Sequence, residues 1–395
     1  MRAELLVVGG GIMGLAIAEH SARRGGGVLL IERRELGAGS SGRSGAILRQ
    51  HYRDAVVARM ARDSLAVYAG FERATGLALG FVRSGVLTVA GPGQVEWCQR
   101  VRENVAMLRG LGIETELVDA ARMRALVPGG RFAEGAVGAW EPGGGFVDPL
   151  RTVAAFGALA RRAGAEVRTG VELTGLDLAG GRVLGARTSA GTVRCERVVL
   201  CAGPWTRRLL EPLGIRLPLR VVRPENHYLG TADAAGQVPP DGALHPVLID
   251  LEHECYARYD PAGVRTRTGR VDYDDDEELA DPDALREEVS AGLKSWARAA
   301  LARRLPPYAT RPDAGSIAAW YTLTPDAQAL IGPVPGVAGL LVASGFSGHG
   351  FKLAPSVGAG VAQMLHGEPV TAFDPAFFDP ARFRGGEAWG GRFGL

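Results

Sequence analysis

The chain has 395 residues, 46% of them hydrophobic and 22% charged, with a formal net charge of +2. That length allows two domains and a large core, and the near-neutral balance argues against nucleic acid or an anionic membrane surface as a partner. No run approaches the ~18 uninterrupted apolar residues that a membrane span needs.

Leu5 to Val8 is a continuous apolar run, as a buried parallel strand should be. Gly9, Gly11 and Gly14 follow at G-x-G-x-x-G spacing, with Ile12 and Met13 between the last two. The first glycine permits a tight turn, the second lets a pyrophosphate approach the backbone, and the third lets a helix pack on the strand. Residues 12–24 read as that helix, whose free N–H groups and dipole favour an anion. A second strand over 28–31 leads to Glu32, 18 residues beyond Gly14, where a carboxylate accepts hydrogen bonds from ribose hydroxyls. The pattern predicts a dinucleotide site. Glu32 would repel the 2′-phosphate of NADP, and the motif leaves FAD and NAD both open.

Further along, helices are predicted over 56–75, 95–111 and 150–163. Strands are predicted over 85–89, 167–178, 183–189, 197–201, 255–259 and 339–343, with a hairpin turning at Ala190-Gly191. The acidic run 272–283 reads as a solvated loop leading into a helix. Asp281 would cap that helix, Pro282 would take its first position, and Leu285, Val289, Leu293 and Trp296 would form its apolar stripe. The order of elements implies a Rossmann-type α/β unit interrupted by a discontinuous antiparallel-sheet unit, an α/β + β fold. The nucleotide unit would comprise residues 1–80, 150–220 and 310–395, and the substrate unit residues 81–149 and 221–309.

Cys98, Cys195, Cys201 and Cys255 are scattered, which suits buried thiols in a reducing cytoplasm better than disulfides. The first strand begins at once, so no cleavable signal is expected. The seven histidines show no ligand spacing, and no metal is expected. Of the 45 basic residues only Lys294 and Lys352 are lysines. Lys352 lies in a second glycine-rich turn, Gly345-Phe346-Ser347-Gly348-His349-Gly350-Phe351-Lys352.

Four stretches together carry a family resemblance. They are Val7 to Gly14 with Ile31-Glu32-Arg33; Gly39-Ser40-Ser41-Gly42-Arg43-Ser44-Gly45-Ala46-Ile47-Leu48-Arg49; Val198 to Trp205; and Tyr321 to Asp326 continuing into the 345–352 turn. With these pieces the chain resembles the D-amino-acid-oxidase superfamily of FAD enzymes, nearly end to end, and is most similar to its sarcosine oxidase and glycine oxidase branch.

The resemblance implies FAD rather than NAD. Gly9, Gly11 and Gly14 would hold the pyrophosphate and Glu32 the adenosine ribose, with Ile12, Met13 and Arg33 in the same motif. Ser40 and Ser41 would touch the pyrophosphate and ribityl region, within the segment that includes Arg43, Ser44, Gly45 and Ala46. Val171 would meet the adenine, and Ala202, Gly203 and Trp205 would line the dinucleotide. Gly345, Gly348, Gly350 and Lys352 would sit by the flavin ring. Arg49 and Lys352 match the two halves of a clamp for a substrate carboxylate, Tyr321 would border the substrate amine, and His349 would support the flavin turn. Tyr256, on the strand predicted over 255–259, is a candidate pocket wall.

Two departures from the family pattern matter. Relatives that attach flavin covalently use a cysteine two residues before the Tyr321 position, which is Ala319 here, or a histidine in the 39–47 segment, which has none. Non-covalent FAD is therefore expected. The lysine that oxidases carry over the other flavin face is replaced by Arg267 (by Arg265 in a slipped register), which raises a dehydrogenase alternative to direct use of O2.

The expected activity is oxidation of a C–N bond of a small amino acid, N-substituted or secondary, by transfer of a hydride from the C–H next to nitrogen to flavin N5, giving an imine that hydrolyses. A 2-hydroxy-acid dehydrogenase is the alternative, although it would need a base such as His349. A flavin subunit of a hetero-oligomeric dehydrogenase is another. The expected partners are thus an amino-acid substrate and O2 or another electron acceptor, with homo- and hetero-oligomers both open.

Overall fold

A computed structural model describes residues 1–231, 245–273 and 276–383. Residues 274 and 275 of the acidic run lie outside this range.

Six strands form one sheet, in the order Leu330–Pro333, Leu340–Ser344, Arg197–Leu200, Leu5–Val8, Val28–Glu32, Glu166–Thr169. Every pairing is parallel except that of the edge strand Leu330–Pro333. The central strand Leu5–Val8 is buried along its whole length, which is why it reads as unbroken hydrophobics rather than alternation. The helix Ile12–Ala22 follows it and is buried on nearly all sides. It packs against the helix Gly350–Leu365 through small residues: a Cβ on Gly358 would come within 2.8 Å of the Ala16 backbone. An early helix and a late one therefore meet beneath the first glycine turn.

The second sheet has eight strands, in the order Asp313–Ala318, Glu225–Gly230, Arg265–Arg270, Cys255–Asp260, Val247–Asp250, Val86–Ala90, Val137–Glu141, Glu116–Val118. Its pairings are antiparallel except where Val247–Asp250 runs parallel to Val86–Ala90. It draws on two separate stretches of chain, and its outermost strand Asp313–Ala318 comes from within 310–395. A two-residue strand, Ile47–Leu48, pairs with Gly145–Phe146 and leads directly to Arg49.

Two expectations are corrected. The single strand over 167–178 is in fact two: Glu166–Thr169 ends in the parallel sheet, and Leu173–Ala179 begins a three-stranded meander. Gly170 makes the turn at φ +72°, and the Val171 amide then donates to the Glu32 carbonyl at 2.9 Å. The helix expected from residue 282 is only a 3-10 turn, Pro282–Ala284, which Asp281 caps. The chain then runs extended until Ser290 caps the helix Ala291–Arg304. Tertiary bonds outweigh the local helix signal here. Asp283 is bound by Arg33, Trp205 and Arg208, and the Arg223 guanidinium takes the Arg286 and Glu288 carbonyls that a helix would use internally. Leu285, Val289, Leu293 and Trp296 still pack together around Ala318, but from a bent strap.

Candidate active site

The first glycine turn is shaped for close backbone approach. Gly9 has φ +113°, and a Cβ there would lie 2.5 Å from the Cys201 carbonyl oxygen. A Cβ on Gly14 would lie 2.0 Å from the Gly9 carbonyl oxygen, so only glycine lets the helix start this near the strand. Gly11 caps the helix without a side chain, no acidic residue occupies the first turn, and the Ile12 amide donates to Ser41 Oγ at 3.0 Å. An anion at such a terminus gains about 0.3–1 kcal/mol from the dipole. Glu32 is already oriented: its two carboxylate oxygens accept the Gly10 amide at 2.7 Å and the Arg34 amide at 2.8 Å.

Most of these residues wall one cleft. Glu32, Arg33 and Val171 line one part of it; Gly345, Gly348 and Tyr321 line another. Between them lie Gly9, Gly11, Ile12 and Met13, the serines Ser40, Ser41 and Ser44, and Ala202, Gly203 and Trp205; Gly350 completes the wall. Ser40 Oγ donates to the Trp320 carbonyl at 2.9 Å, and the Arg33 guanidinium lies 4.3 Å over the Trp205 ring. A long cleft with a bare helix terminus and an oriented carboxylate fits a dinucleotide such as FAD.

Some expected residues stand back from that cleft. Gly14 packs helix on turn. Arg43 donates to Glu287 and to the Ala318 carbonyl, so it fastens the strap. Gly45 and Ala46 shape the turn before Arg49: Ala46 has φ +48°, held by its amide donating to Ser44 Oγ at 2.9 Å.

Arg49, Lys352 and His349 form a separate buried cluster. Arg49 is 2% exposed, donates to the His51 carbonyl and lies 4.1 Å over the Tyr52 ring. Lys352 sits in the first turn of Gly350–Leu365, and burial followed by the Arg49 charge holds its pKa well below the usual lysine value. His349 meets Tyr52 edge-on at 5.5 Å; burial, then Lys352 and Arg49, press its pKa well below 6.5 and keep it neutral. The sequence reading missed three members. His51 is pushed down to about 3 by burial and then Arg49, and its Nε2 lies 3.2 Å from Asn104 Nδ2. Tyr52 is pushed up to about 12 by burial. Glu141, fully buried, is pushed up to about 7, chiefly by burial. The one available signal was a lone acid ending the apolar strand Val137–Glu141.

A third group faces inward from the large sheet. Tyr256 donates to Asn226 Oδ1 and accepts from Arg267 Nε at 3.0 Å, and Arg267 Nη2 donates to the Arg43 carbonyl at 2.8 Å. Arg265 instead pairs with Asp260 at 3.0 Å, so Arg267 is the arginine that reaches Tyr256. Arg258 stands opposite Arg267 in the strand register, 4.2 Å over the Phe146 ring, and burial followed by Arg267 brings its pKa down to about 10. Tyr321 meets Tyr273 edge-on at 4.6 Å.

Among the described residues, one group has metal-like spacing: Asp250, Glu252 and His253. Arg304 donates to Asp250 and to Glu252, each at 2.7 Å, so this is an ion-pair network with a guanidinium inside it. No helix among the described residues is long and apolar enough to cross a membrane.

The family described as FAD dependent oxidoreductase matches residues 4–364. The chain belongs to this family. It is 29% identical to 4-methylaminobutanoate oxidase (formaldehyde-forming) of Paenarthrobacter nicotinovorans over 96% of its own length, yet spans only 45% of that relative. It is 27% identical to peroxisomal sarcosine oxidase of Homo sapiens, with 96% of each chain covered. Among solved structures it is similar to L-proline dehydrogenase from P. horikoshii, with a TM-score of 0.87 at 24% identity over 98% of this chain and 99% of that one, a likeness of fold.

Proposed function

We propose that the chain oxidises the C–N bond of a small N-substituted or secondary amino acid, of the sarcosine or proline kind, to an imine that hydrolyses on release. The observation that carries this reading is the burial of Arg49 and Lys352 together beside the 345–350 turn. Two basic groups out of water beside a single carboxylate, Glu141, favour a second anion, and a substrate carboxylate is such an anion. The planar guanidinium of Arg49 can grip it bidentately while Lys352 adds a point charge.

FAD, when bound, supplies the hydride acceptor at its N5. In this reading Gly9 and Gly11 receive the pyrophosphate, with Gly14 letting the helix start close to the strand, Glu32 receives the ribose and Val171 the adenine, while Gly345, Gly348 and Gly350 lie by the ring. Tyr321 and Tyr256 wall the amine side and exclude water. The cofactor is held non-covalently, since Ala319 has no sulfur; flavin left in an acid precipitate rather than its supernatant would refute that. The four free, buried thiols support a cytoplasmic setting. The names of the relatives support methylamino substrates: sarcosine is itself N-methylglycine.

The test is anaerobic titration of the purified holoenzyme with amino, N-methylamino and 2-hydroxy acids. Bleaching of the flavin band by sarcosine or proline is expected. Bleaching by hydroxy acids alone would overturn the reading.

A further inference from the structure

Glu141 ends the strand Val137–Glu141 and is fully buried. Its Oε1 accepts the Gln50 amide at 2.6 Å, and the His51 amide acts on the same carboxylate. Those two residues directly follow Arg49, so the carboxylate grips the chain at the point from which the Arg49 side chain departs. The same hairpin continues, through the Gly144 amide donating to the Glu141 carbonyl at 3.2 Å, into Gly145–Phe146, which pairs with Ile47–Leu48 on the other side of Arg49. Glu141 is thus the corner of a frame that holds residues 47–51. Both Arg49 and Lys352 act electrostatically on its carboxylate.

We propose that Glu141 is the positioning residue of the carboxylate clamp: it anchors the backbone that carries Arg49 and places a carboxylate beside the two basic groups of the clamp. This rests on the reading of Arg49 and Lys352 as the clamp. The groups that act on Lys352 are Arg49, from the segment after Ile47–Leu48, and Glu141, from its strand. His349, in the turn before the lysine's own helix, is acted on by Lys352, Arg49 and Arg53, and the Tyr52 ring lies against both His349 and Arg49. The helix Ala55–Thr75 packs on the lysine's helix through uncharged groups, Tyr68 donating to the Phe351 carbonyl and Ser64 bonding Ser356. Among these, Glu141 is the carboxylate that opposes the lowering of the Lys352 pKa by burial and Arg49.

Glu141→Gln keeps an acceptor for the Gln50 amide and removes only the charge. Lys352 should then release its proton at a lower pH, and the clamp should lose affinity for a carboxylate there. The measurement is acetate binding to the oxidised holoenzyme, read from the flavin absorbance between pH 6 and 10. In Glu141→Gln the alkaline loss of binding should move down by about one pH unit, a roughly tenfold weakening on that limb. In a Lys352→Met background that limb should be absent, and the same substitution should leave the profile unchanged. Glu141→Ala, which also loses the acceptor, should weaken acetate at every pH by loosening Arg49. Superposable profiles for wild type and Glu141→Gln, or an equal shift without Lys352, would overturn the proposal. A wild-type holoenzyme that bleaches with amino acids yet shows no acetate response would overturn the clamp itself, and this role with it.

Discussion

Asp283 and Arg33 are joined through both carboxylate oxygens, one of them 3.1 Å from Nη1. Trp205 Nε1 and Arg208 Nη1 donate to the same carboxylate at 3.0 Å and 2.9 Å. The strap carrying Asp283 is pinned again where the Trp320 indole donates to the Pro282 carbonyl at 2.9 Å. Arg33 and Trp205 both line the cleft, so Asp283 holds a cofactor wall from behind. Asp283→Ala should speed flavin release several-fold with the circular dichroism unchanged. Recovery of free-flavin fluorescence after dilution measures it, and an unaltered release rate would free the strap of this role. The Arg33 bond, foremost, holds the Asp283 pKa below the usual carboxylate value of 3.8. Its stabilising effect is therefore present above that value and is lost only as pH falls through the lower, folded-state value.

Two glycines of the first turn should fail differently. A methyl on Gly14 meets backbone, the Gly9 carbonyl oxygen at 2.0 Å, which cannot step aside. Gly14→Ala should cost roughly 1–3 kcal/mol of stability or more, and flavin with it. A methyl on Gly11 meets Ser41 Oγ at 3.0 Å, a side chain that can rotate. Gly11→Ala should fold normally and bind flavin about 10–100-fold more weakly, because the methyl occupies the path of the pyrophosphate. The ratio of 450 nm to 280 nm absorbance together with urea unfolding separates the two; matching losses in both variants would contradict the geometry.

Arg49→Met should leave the flavin content unchanged, since Arg49 is not in the wall of the dinucleotide cleft. Loss of a charge-assisted, bidentate contact to a carboxylate corresponds to about 2–5 kcal/mol, so kcat/KM for amino acids should fall at least 30-fold. Amines without an acid group should be affected far less. Equal losses for both substrate types would remove Arg49 from carboxylate recognition.

Arg267 bears on the electron acceptor. It is 3% exposed and is held by Tyr256 and the Arg43 carbonyl, so it offers fixed positive charge but no readily exchanged proton. Reduced enzyme mixed with air-saturated buffer should reoxidise slowly, and Arg267→Lys should accelerate this by about tenfold or more. Rapid reoxidation of the wild type would favour an oxidase.

Acid sensitivity should include His51. Burial pushes it down to about 3 from 6.5. Between those values the unfolded chain takes up a proton that the folded chain refuses, so stability falls as pH drops from 6.5. Glu141 works in the opposite sense. Its pKa is raised to about 7, so its contribution is present below 4.5 and is lost as pH rises through 7. His51→Gln should flatten the fall of the urea midpoint between pH 6.5 and 4.5. An unchanged slope would place the acid lability elsewhere.

What the sequence determined by itself was what is local or carried by short motifs. The strand Leu5–Val8, the glycine spacing and Glu32 could be read from order alone, because a tight turn, a helix start and an acid one strand later are short-range requirements. The order of elements implied a Rossmann-type sheet and an antiparallel one, and Arg49, Lys352, Tyr256 and Arg267 could be named as candidates, all of which the fold buries. Tertiary structure decided the rest, through contacts between residues far apart in the chain. It broke the helix expected at Pro282, because Arg33, Arg208 and Arg223 reach its carboxylate and carbonyls from distant segments. It brought Glu141 under Gln50, 91 residues away in sequence, where burial raises its pKa to about 7 while the Gln50 amide, Arg49 and Lys352 favour its charged form. No periodicity records such a meeting, because its energy lies in desolvation and in pairing across the fold.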